Sequence, residues 1–177
     1  MVEVLLYAAS DGKKATQRCP CGYLTDPRNR CRCPSTAVAR YRAKISGPLL
    51  DRIDLHVDVP AVPFETLRRN GRSESSAAIR AQVVAAHRRQ RTRLSPLGVA
   101  FNAQMRHQDL KAACPMTRAA AALLKSAMQT LQLSARSYDK ILRLSRTIAD
   151  LAGTEQLLPA HVAEAIQYRS LDRQLWV

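Results

Sequence analysis

The spacing of apolar and polar positions changes several times along the chain, and each change marks an element. Residues 2–9, VEVLLYAA, form a short apolar, partly β-branched run that stops at Ser10-Asp11-Gly12, the pattern of one buried strand and a turn. A basic loop is expected from there to Arg18. The stretch CPCGYLTDPRNRCRCP follows, with four Cys, three Pro and one Gly in sixteen residues, and it suits neither a helix nor a regular strand, so its order needs another cross-link. From Ser35 the period becomes helical, with Ala37, Val38, Tyr41 and Ile45 recurring until Gly47-Pro48. A short helical turn over Pro48–Arg52 leads into residues 53–59, IDLHVDV, whose strict alternation predicts a half-buried strand.

Residues 60–74, with two Pro and the run RRNGRS, read as a linker. A helix is predicted over Ser75–Arg93, with Ile79, Val83 and Val84 on one side and Arg80, Arg88, Arg89, Arg91 and Arg93 elsewhere. Four helical segments follow, near 106–113, 117–132, 135–152 and 159–169, with start signals at Thr117, Ser134 and Pro159 and a stop at Gly153. In the third, Tyr138, Ile141, Leu142, Ile148 and Leu151 are expected inward and Arg136, Asp139, Arg143 and Arg146 on the other stripe. The fold class expected is mainly α: one or two strands and a cysteine-rich loop, then a helical bundle.

Composition agrees with a folded chain, since 46% of the 177 residues are hydrophobic and only six are Gly. No apolar run is long enough to cross a bilayer, and the first residues carry their acid early and their bases late, the reverse of a signal peptide, so a cytoplasmic location without membrane contact is expected. Charge adds a partner class. The net charge is +14, with 22 Arg against 6 Lys, and the excess is spread over the whole length. Guanidinium groups bind phosphate bidentately and stay charged, which points to nucleic acid or nucleotide phosphate; arginines that merely solvate the surface are the alternative.

Cys19-x-Cys21 and Cys31-x-Cys33 offer four thiolates from two short arms, the number and type that a tetrahedral zinc site takes; reduced surface thiols or disulfides remain open from spacing alone. Cys114 reads as core packing. His56, His87, His107 and His161 lie on separate segments without a nucleophile or carboxylate at catalytic spacing. There is no G-x-x-x-x-G-K-[ST] loop, because Gly12-Lys13-Lys14 lacks both the first glycine and the following hydroxyl residue, so the chain alone is not expected to hydrolyse ATP. Arg52, between a short helix and a strand, is placed either to reach a neighbour's phosphate or to pair with Asp51 or Asp54. Arg136 opens a helix, where backbone N–H groups already favour phosphate; a solvated basic face is the other reading.

The stretches CPCGYLTDPRNRCRC, RYRAKISGPLLDRIDLHVDVP, ESSAAIR and SARSYDKILRLSRTIADLAGTEQLLPAHVAEAIQYR together resemble the C-terminal part of the ComM/YifB-type, magnesium-chelatase-related AAA+ ATPases, over about residues 19–173. The resemblance implies residues 1–60 as the end of an AAA+ core with the four-cysteine loop, 61–74 as linker and 75–177 as the helical lid. It further implies ATP and Mg as cofactors of a complete assembly, homo-hexameric neighbours, and sequence-independent action on DNA as a branch-migration helicase of natural transformation. Arg52, in LLDRID, resembles the arginine finger acting in trans; Arg136, in SAR, resembles the sensor-2 arginine. The nucleotide loop has no counterpart in the sequence, and Gln17-Arg18 stand where the family has Asn-Pro before Cys-Pro-Cys-Gly, which displaces the sensor-1 asparagine. Residues 4–9 either take the place of the family's strand, with 11–18 as an insertion, or residues 1–18 are unrelated sequence joined by truncation or frameshift. The competing functions are a free-standing, zinc-stabilised basic DNA-binding module and a magnesium-chelatase-type accessory subunit.

Overall fold

The computed structural model describes residues 3–8, 12–24, 26, 30–44, 48, 52–59, 62, 64–68 and 74–169. Its contacts divide the chain into two units, Met1–Gly71 with Tyr168–Val177, and Arg72–Gln167. The fold is mainly helical, as the sequence predicts.

The first unit contains a three-stranded sheet in the order β2-β1-β3, from β1 (Glu3–Ala8), β2 (Gly12–Gln17) and β3 (Leu55–Val59). Both pairings are antiparallel, with Leu5 opposite Ala15 on one side and Val57 on the other. This corrects the expectation of one or two strands: residues 12–17 are a strand, not a basic loop. GKKATQ has no apolar alternation to announce a strand, and the ladder to β1 along all six residues supplies the order instead. Helix α1 (Ser35–Arg42) follows the cysteine stretch. Residues 45–47 and 49–51, where its end and most of the predicted turn before Arg52 fall, lie outside the described residues. A five-residue helix, α2 (Phe64–Arg68), occupies part of the segment predicted as linker, with the Arg68 guanidinium over the Phe64 ring at 5.8 Å.

The buried side of β3 also differs from the alternation's promise. His56 is 3% exposed, whereas Leu55 and Val57 are half-buried. A segment more than a hundred residues away is tied to this strand: the His56 N–H donates to the Tyr168 carbonyl at 2.9 Å, and the buried Arg169 guanidinium donates to the Ile53 carbonyl. Tyr168 and Arg169 group with the first unit.

The second unit is helical: α3 (Ser76–Leu94), α4 (His107–Ala113), α5 (Arg118–Thr130), α6 (Ala135–Ala152) and α7 (Pro159–Gln167). Two 3-10 turns, Ser95–Leu97 and Asn102–Gln104, join α3 to α4. Side-chain oxygens of Ser75, Thr117 and Ser134 accept from backbone N–H groups three residues on, which satisfies donors that the first turn leaves unpaired. Gly153 ends α6 at φ +76, the left-handed conformation that a side chain would strain. A bridge between Met116 and Leu157 ties the entries of α5 and α7 together. The core gathers Leu94, Leu110, Leu124, Ile141, Leu157 and Val162 among thirteen buried residues, Cys114 included.

Two faces differ from expectation. On α3 the buried stripe is Ala86, Gln90 and Leu94, and Ile79, Val83 and Val84 stay exposed. On α6 Arg146 is 1% exposed, while Leu151 faces solvent. Arg146 stands four residues after Leu142 and four before Asp150, on the inward seam. It stays there charged because every face of its guanidinium is answered, by Asp150 and by the carbonyls of Thr154 and Glu155.

Candidate functional site: a four-cysteine knuckle and the arginines

The Cys-Pro-Cys-Gly arm turns at Gly22, whose φ of +80 suits glycine and whose N–H donates to the Cys19 carbonyl at 3.1 Å. This turn brings Cys19 and Cys21 to one side. The returning Cys31-Arg32-Cys33 arm enters α1, and Arg42 of α1 donates its Nε–H to the Arg18 carbonyl at 3.4 Å, fixing the backbone just before Cys19.

The sulfurs converge. Cys19 Sγ lies 3.4 Å from Cys21 Sγ and 3.7 Å from Cys31 Sγ, and Cys21 and Cys31 are 3.5 Å apart. All four sulfurs, Cys33 included, fall within 4.8 Å of one another, and none is in a disulfide. Tetrahedral Zn–S bonds of about 2.3 Å require sulfurs about 3.8 Å apart, close to these separations, so the donor set fits a soft divalent ion. Cys19 is buried and the other three are half-buried.

The sulfurs also compete for charge. The Tyr23 N–H, and then the neighbouring sulfurs, lower Cys21 to about 6. For Cys31 the N–H of Cys33 favours the thiolate, but desolvation and the sulfurs of Cys21 and Cys19 outweigh it and push it to about 12. Cys33 is raised as well, chiefly by the Cys21 sulfur. One thiolate forms readily and further ones resist, a conflict that a cation among them removes. The cluster can therefore hold a metal ion.

The two arginines singled out in the sequence are both exposed, and they belong to different units. Arg52 stands three residues before β3; Asp51, one of its expected partners, lies outside the described residues. Arg136 is the second residue of α6, two positions after the Ser134 cap. The four histidines are separate: His56 is buried in β3, His161 Nδ1 accepts from the Leu158 N–H, His107 pairs with Asp139 at 2.8 Å, and the His87 ring packs against Phe101. Among the described residues no helix is long and apolar enough to cross a membrane.

A buried network around Asp150 escaped the sequence reading. Its carboxylate accepts two hydrogen bonds from Arg93, at 2.7 and 2.8 Å, one from Arg146 at 3.1 Å and one from Asn102 Nδ2 at 2.8 Å. Its carbonyl accepts from Arg89 at 2.8 Å. Burial lowers the pKa of Arg146, and the Asp150 charge opposes that shift. Two of the five α3 arginines thus serve the end of α6. The spacing of Arg146 and Asp150 on an apolar seam was the available signal.

Comparison with known proteins follows the same division. Residues 9–67 match the family model "Magnesium chelatase, subunit ChlI", and residues 73–169 match "Magnesium chelatase, subunit ChlI C-terminal". The chain is 37% identical over 157 residues to the competence protein ComM of Haemophilus influenzae. It is 35% and 34% identical over 157 residues to the YifB proteins of Salmonella typhimurium and Escherichia coli. Each alignment covers 88% of this chain and 30% of the relative, so the chain spans less than a third of their length. Two ChlI-type segments in that order, on either side of residue 72, place the chain in the magnesium-chelatase-related family, to which it belongs together with ComM and YifB.

Proposed function

We propose that the chain acts as the end of the core and the lid of a ComM-like AAA+ ATPase, with residues 1–60 closing the core, 61–74 linking and 75–177 forming the lid. The observation that supports this reading is the 37% identity to ComM over 88% of the chain; the exposure of Arg52 and Arg136 is compatible with their contacting phosphate. Arg52 is the finger: exposed and adjacent to a strand, it reaches the phosphate bound by the next subunit and stabilises charge that develops only during phosphoryl transfer. Arg136 is the sensor-2 group: at the start of α6 its positive charge adds to the N–H groups of the first turn and holds nucleotide phosphate. ATP with Mg supplies the transferable phosphoryl group in the complete hexamer. Zinc on Cys19, Cys21, Cys31 and Cys33 supplies a cross-link, and the knuckle holds the segment between β2 and α1 in register. The name of the Haemophilus relative, competence protein, connects this reading to DNA uptake, and branch migration on DNA is the activity that the assembly carries out.

The test is ATP hydrolysis by a full-length ComM-type relative, wild type against alanine at the positions of Arg52 and Arg136, with and without DNA. Loss of the finger is expected to leave ATP binding intact and slow turnover by roughly 10³- to 10⁵-fold. Loss of the sensor is expected to weaken nucleotide binding. Normal turnover in the Arg52 variant, or turnover by the 177-residue chain alone, overturns the assignment.

A further inference from the structure

The basic helix α3 presents a surface that neither the finger nor the sensor uses. Arg80, Val84, His87 and Arg91 stand at i, i+4, i+7 and i+11, one stripe along the helix, with Arg88 beside it, and all five are exposed. The His87 ring meets Phe101 edge-on, with centroids 5.4 Å apart, and Phe101 is 41% exposed. From Ser76 to Leu94 the helix carries no acidic residue, and the Glu74 carboxylate just before it is engaged by Gln82 at 2.7 Å.

The exposed phenyl ring rests on a rigid mount. The Gln104 side-chain oxygen accepts from the N–H groups of Ala100 and Phe101, at 2.9 and 3.2 Å. The next residue, Asn102, is buried; its N–H donates to Gln90, and its side chain joins Thr147, Arg93 and Asp150. A buried polar network therefore fixes an aromatic residue that itself contributes little to the core. Such a mount favours a binding platform, because a preorganised side chain loses little entropy when a ligand lands on it.

We infer that this face binds single-stranded nucleic acid, with an unpaired base stacked on Phe101 and the backbone phosphates held by Arg80, Arg88 and Arg91. Arginines without neighbouring acids call for a polyanion, and the intervening Val84, His87 and Phe101 call for exposed base faces. A duplex meets the second demand poorly, because its bases are stacked on one another and it would press phosphates onto an apolar strip. The inference rests on the reading that the protein works on DNA, and it names the surface and the form of the nucleic acid.

The test titrates the 177-residue chain against labelled oligothymidine, oligouridine and a duplex of mixed sequence at low and moderate salt. Tighter binding of the single strands than of the duplex is expected. Phe101→Ala should weaken single-strand binding about tenfold and leave duplex binding unchanged, while Phe101→Tyr retains it. Arg88→Gln with Arg91→Gln should lower affinity for every nucleic acid and reduce the salt slope by about 1.4, the value for two phosphates on a single strand. Thermal melting of each variant confirms that the fold is kept. Single-strand binding unchanged in Phe101→Ala overturns this surface alone. No binding of any nucleic acid by the wild-type chain overturns the DNA reading and the surface with it. A wild-type dimer that Val84→Glu dissociates identifies the face as a contact between copies and overturns the proposal.

Discussion

The two units are held together by different chemistry. In the first, beyond the ladders of the three-stranded sheet, the described links are point contacts between distant segments: four sulfurs on two arms, Arg42 on the Arg18 carbonyl, His56 on the Tyr168 carbonyl and Arg169 on the Ile53 carbonyl. In the second, a cluster of thirteen buried hydrophobic residues supports five helices, and the polar groups it buries are joined around Asp150. The difference separates two ways of stabilising a short stretch of chain. A segment rich in Pro, Cys and Arg has little apolar surface to remove from water and depends on a few strong, localised bonds. A helical segment with an apolar seam gains from many weak contacts and tolerates a buried charge only where that charge is fully answered.

Loss of the proposed zinc is expected to have the largest effect. Structural zinc on cysteine ligands contributes about 10 kcal/mol or more to the folding of small modules. A strong chelator, or Cys19→Ser, is expected to expose the Arg18–Arg32 segment to proteolysis while the helical circular dichroism of the second unit persists. Elemental analysis should give one zinc per chain before treatment. Loss of the helical signal together with the knuckle would erase the contrast between the units.

A smaller effect is expected from Asp150→Ala, which strands two guanidinium groups, Arg93 and Arg146, around an empty position. Breaking such a buried pair costs about 3–5 kcal/mol, visible as a lower denaturation midpoint of the helices. Arg146→Met should cost less, since Asp150 keeps Arg93 and Asn102. Equal losses in the two variants would show that Asp150 acts through packing and not through its charge.

The smallest effect concerns pH. The hydrogen bonds and charge of Arg106 hold the Asp109 carboxyl below its ordinary 3.8, and Asp109 in turn raises Arg106. A depressed carboxylate stabilises the fold above its unfolded pKa, and this contribution fades as the pH falls through the folded value. Asp109→Asn should therefore lower stability slightly at neutral pH and flatten the acid limb of the profile below about pH 4, where variant and wild type converge. An unaltered acid limb would assign the pair no part in the stability of α4.

Much of the helical unit was legible because its signals are local. Thr117, Ser134 and Gly153 stand at the predicted boundaries of α5 and α6, where side-chain oxygens and a left-handed glycine do the work of ending a helix. The cysteines were legible for a similar reason: Pro20 and Gly22 force a turn that brings Cys19 and Cys21 together, so the spacing itself carries the geometry. The strand β2 was not legible, because GKKATQ is ordered by the neighbour it pairs with.

The sequence alone determined the helical segments and the family and singled out the four cysteines, since caps, periodicity and ligand spacing act within a few residues; the convergence of their sulfurs is seen in the structure. The sequence did not determine which face of α3 turns inward, that Arg146 is buried, or that the His56 N–H pairs with the Tyr168 carbonyl. Arg146 is answered by groups only four to nine residues on, but Arg93 and Arg89 meet partners 57 and 61 residues away, and Arg169 one 116 away. A local pattern can supply some of the groups that answer a buried charge, but the distant partners and the apolar shell around it arrive only by packing in three dimensions.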